Sequence, residues 1–471
     1  MGRSRISLAL VAVSLVCAGA ASVVHAGTRS TARATQELTI QVSDGTKLAC
    51  GLVLPSGSPP AGGWPGLLLF HGLGDSHSQM TAIASLALAP AGFASLACDA
   101  RGTGPSGGTF GLDGPKEVQD ARDLFAWLAA RSDVSDTAIG AFGLSLGGAE
   151  VWNAAAAGVP FKAIVPAITW TNLGSALNPN GVPKAGEIRQ LAKAVPSSRW
   201  DASLLQSMGD LIDGTVSAAV KSAEAARSSR PRLHSVTVPT LLLQGRHDFL
   251  FDIDQALAAY RLLAGPKRLY VGDLGHPPAA NPVAEQLTFV GEAIAWFSKY
   301  LVGGSGPGGG IELAHDPWSG ATTSYQTPPP TRHVSVNLPG TKKLSTASAS
   351  TSRTVRLTGG PLETFGHGSV TVRYSGAGRS WVRLVAAVAV KGSSTPVTFG
   401  AAALTKASGV LRIPLSNQAV LLPRSKRLVV TVGGETAGGV YDRPALSVST
   451  GFITIRRVTL KLSLLKKTVS R

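Results

Sequence analysis

Cysteine is scarce in this chain of 471 residues, where it occurs three times, as Cys17, Cys50 and Cys98. No spacing of cysteine and histidine is typical of a metal site, and no motif implies a cofactor, so we expect neither. Cys17 lies in the N-terminal segment discussed next, which leaves Cys50 and Cys98. In an oxidising compartment these two either form a disulfide or remain two buried thiols, and the sequence leaves both states open.

Long apolar runs are also missing, except at the N-terminus. Residues 1–26 combine Arg3 and Arg5, an apolar stretch, and small residues up to Ala26. This pattern is typical of a secretory signal peptide, and an uncleaved membrane anchor is the alternative. No later segment contains the roughly 20 apolar residues of a membrane-spanning helix. We therefore expect a secreted, extracellular protein that is cleaved near Ala26.

Acidic residues are nearly absent from the C-terminal region. Residues 339–471 contain 20 lysines and arginines but three acidic residues, so they carry the whole formal net charge of +17. Such a region is suited to bind an anionic surface, either cell-wall polymer or membrane headgroups; a solvated surface without a partner is the alternative. The basic pairs are not interleaved with aromatic residues, so nucleic-acid binding is not expected.

Apolar strands alternate with amphipathic helices between residues 37 and 301. Runs such as "GLLLFHG" and "VPTLLLQG" are typical of strands that are buried on both faces, and "GPKEVQDARDLFAWLAARS" has apolar residues at helical spacing. This order predicts an α/β fold with a doubly wound, mostly parallel sheet. A polar, helical stretch at about residues 171–236 interrupts the alternation, and we interpret it as an inserted helical cap.

The composition of the chain changes after these alternating strands and helices. The glycine-rich "GGSGPGGG" opens a linker and bridging segment, which we assign to residues 302–332. Residues 333–471 then contain short β-rich runs, such as "SVTVRYSG" and "RLVVTVGG", separated by Gly, Ser and Pro. These runs predict a second, basic domain with a jelly-roll-like β-sandwich fold.

One serine lies among glycines in "IGAFGLSLGGAEVW". Gly143, Ser145 and Gly147 form the pattern Gly-x-Ser-x-Gly between a predicted strand and a predicted helix, which is typical of a nucleophile elbow. The pattern is short, and an ordinary glycine-rich turn is the alternative. A serine hydroxyl also needs a general base, a group that orients the base, and donors for the oxyanion.

Candidates for these partners follow later strands in the expected order of serine, acid and histidine. Asp248 follows "TLLLQG" and His276 follows "KRLYVG". The sequence therefore predicts a catalytic triad of Ser145, Asp248 and His276. Asp252 is the second candidate for the acid, although a helix-capping role already accounts for it. Asp273 is interpreted as a loop residue.

The predicted oxyanion donors are two backbone N–H groups. One belongs to Leu146, directly after the serine, and the other to Leu73 in the "HGLG" loop after an earlier strand. We expect His71 to brace that loop rather than react. Residues 99–102, "DARG", are likewise interpreted as a structural loop.

With these residues placed, "CDARGTGPSGG", "GLSLGG", "SVTVPTLLLQGRHD" and "GDLGHP" resemble the strand-end motifs of the α/β-hydrolase superfamily. The layout, with a sandwich after the catalytic region, is similar to the Xaa-Pro dipeptidyl-peptidase and cocaine-esterase (CocE/NonD) family. The resemblance implies a serine hydrolase with Ser145, Asp248 and His276 as its triad. Leu146 replaces the aromatic residue that usually follows the nucleophile in that family, and "HGLG" is more similar to lipases, which use backbone amides only.

Two hypotheses follow for the function. The first is a secreted serine hydrolase that cleaves an ester or a peptide amide through an acyl-enzyme on Ser145, with dipeptidyl-peptidase-like specificity as one form. The second is a non-catalytic protein that binds a surface through its basic sandwich and retains a relic hydrolase domain. The loss of activity on Ser145→Ala would distinguish them.

Overall fold

The structure is a computed structural model that describes residues 32–345, 349–359, 361–378, 381–424, 427–435, 439–442 and 451–467. The predicted signal peptide lies outside the described residues. Among those that are described, no helix combines the length and the apolar character needed to cross a bilayer.

Ten strands form one large sheet. They are β1 (Gln36–Gln41), β2 (Lys47–Val53), β3 (Trp64–Phe70), β4 (Ala94–Cys98), β5 (Val134–Leu144), β6 (Ala163–Ala167), β7 (Thr240–Gly245), β8 (Lys267–Gly272), β9 (Gly310–Ala314) and β10 (Thr322–Tyr325). Their order is β1-β2-β4-β3-β5-β6-β7-β8-β9-β10. The strands from β4 to β9 are parallel, and β1, β2 and β10 add antiparallel edges.

Helices cover both faces of this sheet. The α-helices are α1 (His77–Ile83), α2 (Pro115–Ala129), α3 (Leu146–Ala156), α4 (Leu173–Leu177), α5 (Ala185–Leu191), α6 (Ala202–Ile212), α7 (Ala218–Ala226), α8 (Ile253–Leu262) and α9 (Val283–Leu301). Helices α2, α3 and α8 contribute to the apolar core on one face, and α1 and α9 to the core on the other. The predicted doubly wound α/β fold is therefore confirmed.

The segment predicted as the cap contains helices α4 to α7. They share a separate apolar cluster with Leu146, Leu250 and Phe251, which lie at the carboxyl edge of the sheet. The cap therefore packs over the strand ends at which the sequence placed Ser145, Asp248 and His276.

The segment predicted as linker and bridge contains regular structure. Its strand β9 pairs in parallel with β8, and β10 pairs with β9. Ile311 and Leu313 are buried, so this segment extends the ten-stranded sheet before the sandwich begins.

The remaining strands form a β-sandwich, as predicted. They are β11 (Thr331–Leu338), β12 (Lys342–Leu344), β13 (Ser350–Arg356), β14 (Leu362–Glu363), β15 (Ser369–Ser375), β16 (Arg383–Val390), β17 (Pro396–Ala403), β18 (Gly409–Pro414), β19 (Leu421–Leu422), β20 (Arg427–Gly433) and β21 (Ile453–Leu465). One sheet has the order β11-β21-β15-β18, with β12 also paired to β21, and the other has the order β13-β20-β16-β17. Alternate residues of both sheets fill one apolar core.

Cys50 and Cys98 form a disulfide. They lie directly opposite each other on the antiparallel strands β2 and β4, which places the two side chains on the same face of the sheet. Of the two states that the sequence left open, a disulfide or two buried thiols, the structure has the disulfide.

The sandwich packs on the α/β domain through the outer face of its second sheet, β13-β20-β16-β17. Val385 and Phe399 of that sheet form an apolar cluster with Val182 of the cap and Phe249. The rings of Phe249 and Phe399 are 4.6 Å apart, edge to face. This cluster joins the sandwich to both the cap and the loop after β7.

A fully buried ion pair lies at the same junction. Arg246, directly after β7, pairs with Glu363 of β14, and both side chains have no exposed surface. Arg246 also donates from Nε to the Ala419 carbonyl at 2.8 Å and from its guanidinium to the Ala314 carbonyl. Because a buried charge is costly unless its hydrogen bonds are satisfied, these contacts fix the sandwich to the loop after β7.

We predict that Glu363→Gln lowers the free energy of unfolding by about 3 kcal/mol or more, because it leaves the buried Arg246 charge unpaired. Urea denaturation of the purified protein measures this. Asp133→Asn is the matched control, since it breaks the part-exposed Arg131–Asp133 pair and should cost less than about 1 kcal/mol. Equal losses in the two variants would contradict the structural role of Arg246.

Candidate active site

The elbow around Ser145 depends on its glycines. Ser145 has φ 55° and ψ −112°, a conformation that side chains rarely adopt and that is typical of strained functional turns. A Cβ at Gly143 would lie 2.1 Å from the Gly147 carbonyl oxygen, and one at Gly147 would lie 2.1 Å from that of Phe70. The two glycines therefore allow β5 to turn directly into α3, with the serine at the turn.

The structure brings the three predicted triad residues together. Ser145 Oγ lies 2.8 Å from His276 Nε2, and His276 Nδ1 lies 2.7 Å from Asp248 Oδ2. In the tautomer with the proton on Nδ1, this N–H forms a hydrogen bond to the Asp248 carboxylate. Nε2 is then free to accept the serine proton. This is the geometry that an activated serine requires.

Asp248 is fully buried and held on both oxygens. Its Oδ1 accepts from the N–H groups of Leu250 and Phe251 at 2.9 and 2.8 Å, and its Oδ2 also accepts from the His276 N–H at 3.0 Å. The Phe251 ring packs edge-on against the His276 imidazole, with centroids 5.0 Å apart. The carboxylate and the imidazole are therefore fixed relative to each other.

The other acidic residues near the triad have structural contacts. Asp252, the second candidate acid, caps α8 by accepting from the Asp254 N–H at 3.2 Å, and it also accepts from the Asn417 N–H. Asp273 accepts from His247 Nδ1 at 2.8 Å and from the Ala280 N–H. Asp252 thus has the helix-capping role expected from the sequence, and Asp273 is a loop residue, as expected.

The two segments that carry the predicted oxyanion donors both come close to Ser145. Leu146 is the first residue of α3, so its N–H has no acceptor within the helix. The "HGLG" loop passes close to the nucleophile, since a Cβ at Gly72 would lie 3.8 Å from Ser145 Cβ. Leu73 follows Gly72 in this loop, and its N–H remains the second donor predicted from the sequence.

His71 braces this loop. Its Nδ1 contacts the Gly72 carbonyl at 2.7 Å, and its Nε2 accepts from the Ala100 N–H at 3.0 Å. Burial lowers the pKa of His71, which favours the neutral ring that this pattern requires. In the neighbouring loop, the buried Arg101 pairs with Asp120. Both loops therefore have the structural role expected from sequence.

Glu187 is one of the acidic residues of the cap, with Asp210, Asp213 and Glu224, among which the sequence indicated no partner for a substrate amine. It lies on cap helix α5. Burial raises the pKa of its carboxyl group, whereas the nearby charges of Lys184 and His276 act in the opposite direction. A carboxyl group of the cap thus lies within electrostatic reach of His276. No local sequence pattern indicates this, because it depends on how the cap folds back.

Lys184 positions the loop that carries Asp248. It is buried, and its Nζ donates to the carbonyls of Phe249 and Leu250 at 2.8 and 2.9 Å. Burial lowers the pKa of this amine. The cap therefore contacts the acid loop directly.

A buried acidic pair lies behind the elbow, beside a cavity of about 40 Å³ that Leu146 and Gly147 also line. Asp113 and Glu150 lie close enough to interact, and burial raises the pKa of both well above the usual range. A shared proton accounts for two such carboxyl groups at one site. The sequence feature that could have indicated this pair is Glu150, an acidic residue within the otherwise apolar first turns of α3.

Comparisons with known proteins agree with this architecture. Residues 44–277 match the sequence profile described as X-Pro dipeptidyl-peptidase (S15 family). No curated protein matches the sequence significantly.

Several solved structures share the fold across nearly the whole chain. A CocE/NonD family hydrolase from Staphylococcus aureus is 13% identical, with a TM-score of 0.66, covering 91% of this chain and 93% of that one. An aminopeptidase from a marine sediment Thaumarchaeota archaeon is 12% identical, with a TM-score of 0.68 and coverage of 93% and 97%. An α-amino acid ester hydrolase is 14% identical, with a TM-score of 0.63 and coverage of 94% and 98%.

The predicted resemblance is therefore confirmed. The chain has the α/β-hydrolase fold followed by a sandwich, and it resembles the X-Pro dipeptidyl-peptidase and CocE/NonD hydrolases. These findings support a hydrolase, consistent with the cleavage of ester or peptide bonds.

His247, in the loop after β7, forms an ion pair that makes the stability of the fold depend on pH. His247 contacts Asp273 at 2.8 Å and Asp316 at 3.3 Å. Burial lowers its pKa, but the hydrogen bonds to these two carboxylates outweigh burial and raise the pKa to about 9. Because the folded pKa exceeds the ordinary value of 6.5, this contribution to stability is full below pH 6.5 and is lost as the pH rises through about 9.

We predict that His247→Gln lowers the free energy of unfolding by up to about 3 kcal/mol at pH 6, and by much less at about pH 10. Urea denaturation at both pH values measures the difference. His333→Gln, at an exposed histidine of β11, should have no comparable effect at either pH. A loss in His247→Gln that does not change with pH would contradict the paired, charged histidine.

Proposed function

We propose that this protein is a secreted serine hydrolase that cleaves an ester or a peptide amide through an acyl-enzyme on Ser145. The observation that carries the proposal is the continuous chain of hydrogen bonds from Ser145 Oγ through His276 to the buried Asp248. The strained elbow and the match to a hydrolase family support the same conclusion.

In the proposed reaction, Ser145 Oγ attacks the substrate carbonyl carbon while His276 Nε2 takes the hydroxyl proton. Asp248 holds the imidazole and stabilises its positive charge. The N–H groups of Leu73 and Leu146 stabilise the tetrahedral oxyanion. His276 returns the proton to the leaving alcohol or amine. A water molecule, deprotonated by His276, then attacks the acyl carbon; the bond to Ser145 Oγ breaks, His276 returns the proton to Oγ, and the acid is released.

Dipeptidyl-peptidase-like specificity is the finer part of the proposal, and Glu187 supports it. A substrate with a free amino terminus carries an ammonium group near its scissile bond. The carboxylate of Glu187 lies in the cap, within electrostatic reach of His276, where it can pair with such a cation. Cleavage of neutral acyl esters does not need this contact.

Export is also part of the proposal. Residues 1–26 have the pattern of a signal peptide, and the Cys50–Cys98 disulfide is of the kind that persists in oxidising compartments.

We predict that Ser145→Ala lowers kcat/KM by about 10⁴-fold or more, because the nucleophile is removed. Two substrates are compared, an Xaa-Pro p-nitroanilide and a short-chain p-nitrophenyl ester. The exposed Ser198→Ala is the matched control and should retain full activity. A fluorophosphonate probe should label the wild type and the control on Ser145, and should leave Ser145→Ala unlabelled.

The outcomes separate the hypotheses. Cleavage of the amide supports a dipeptidyl-peptidase-like enzyme, whereas cleavage of the ester alone indicates an acyl esterase. Failure to cleave either substrate, with no labelling of Ser145, would contradict a serine hydrolase and favour the non-catalytic surface-binding protein.

We further predict that Glu187→Gln raises KM for a free Xaa-Pro p-nitroanilide by about 10- to 100-fold, the usual range for a charged hydrogen bond. The short-chain ester should be cleaved as before. Asp213→Asn, at another acidic residue of the cap, is the control. An equal effect on both substrates would mean that Glu187 acts on the catalytic histidine or the fold rather than on the substrate ammonium.

A further inference from the structure

The two sheets of the sandwich have different outer faces. The sheet β13-β20-β16-β17 packs its outer face on the hydrolase part through Val385, Ala387, Phe399 and Ala401. The sheet β11-β21-β15-β18 lies on the opposite side of the sandwich core. Its outer face therefore points away from the catalytic part.

That outer face carries much of the positive charge of the chain. In the strand register, Arg373 of β15 lies opposite Arg457 of β21, Thr371 lies opposite both Arg412 of β18 and Thr459, and Ser369 lies opposite Lys461. Arg456 reaches the same face, because its Nε donates to Ser375 Oγ at 2.9 Å. We call Arg373, Arg412, Arg456, Arg457 and Lys461 the cationic face.

Within the strands of this sheet, no acidic residue offsets these charges. The strands β11, β15, β18 and β21 contain no Asp or Glu. The three acidic residues of positions 339–471 lie elsewhere: Glu363 is buried against Arg246, Asp442 pairs with Arg189 of the cap, and Glu435 follows β20 of the other sheet. Like charges directly opposite each other on neighbouring strands, as at Arg373 and Arg457, destabilise a sheet. Folding therefore gives no reason for this arrangement, whereas an anionic partner would relieve it.

We propose that the cationic face binds a linear, carboxylate-bearing polysaccharide. Arginine forks pair with carboxylates in a bidentate geometry, and neutral polar groups for sugar hydroxyls lie between them, namely Ser335, Asn337, Thr371 and Thr459. Along a strand, residues on one face repeat at about 7 Å, and neighbouring strands are about 5 Å apart, so charges and hydroxyls form an extended array.

The same face is poorly suited to a lipid bilayer. Proteins that insert into the membrane interface present aromatic and large apolar side chains next to their basic residues. Among the described outward positions of these strands, Val410 is the exposed large apolar residue, and none is Phe, Tyr or Trp. Phe452, directly before β21, is a partly exposed aromatic ring beside them, and Lys343 Nζ lies 3.9 Å from its centroid. One ring covered by a lysine gives little apolar surface for insertion. The proposal is independent of the catalytic proposal, since the face lies on the far side of the sandwich.

The test measures the binding of the full-length mature protein to polygalacturonate at low ionic strength. Wild type should bind and be released by salt. The triple variant R373Q/R412Q/R457Q should lose about 100-fold in affinity, taking the roughly fivefold per cation that is typical near anionic surfaces. The triple variant K116Q/K193Q/K221Q, which removes three exposed charges from the hydrolase part, should bind as the wild type does.

Two further readouts distinguish a binding face from a structural one. Both triple variants should keep the hydrolytic activity of the wild type, and R373Q/R412Q/R457Q should melt at no lower temperature, because it removes a repulsion. Vesicles of phosphatidylglycerol and phosphatidylcholine in equal parts should bind weakly. The proposal is overturned if wild type does not bind polygalacturonate, if both triple variants bind equally, or if the vesicles are preferred over the polymer.

Discussion

The position of the candidate catalytic acid depends on the buried contacts of the loop after β7. Arg246 is held by Glu363 and by two carbonyl groups, and Gln418 donates to the Asp248 carbonyl at 2.8 Å. Both Glu363 and Gln418 belong to the sandwich region. Because a buried guanidinium tolerates no loss of partners, the sandwich is part of the machinery that orients Asp248 rather than an appended module.

The nucleophile is positioned by a different constraint, which is steric. At Gly143 and Gly147 the approach of other backbone atoms leaves no space for a Cβ. Ser145 itself has a positive φ, and the surrounding packing must hold that strain. The site thus combines a nucleophile fixed by close backbone packing with an acid fixed by contacts between domains, and His276 joins the two.

The cap connects these constraints to the choice of substrate. Lys184 fixes the acid loop through two carbonyls, and Glu187, on the next turn, lies within electrostatic reach of His276. A small shift of α5 would therefore affect both the triad and the proposed ammonium contact. The sandwich limits such a shift, since the Gly186 N–H donates to the Val440 carbonyl at 3.2 Å.

The sequence by itself predicted the α/β fold, the sandwich, and Ser145, Asp248 and His276 as candidates, because each follows an apolar strand and strand ends meet at one edge of a parallel sheet. Only the tertiary structure decided the pairing of Cys50 with Cys98, the paired strands within the predicted linker, and the place of Glu187. These features depend on contacts between segments far apart in the chain, such as Arg246 with Glu363, which no local periodicity records. The cationic face shows the same division: composition located the charge in the last part of the chain, but strand register placed it on one side of one sheet.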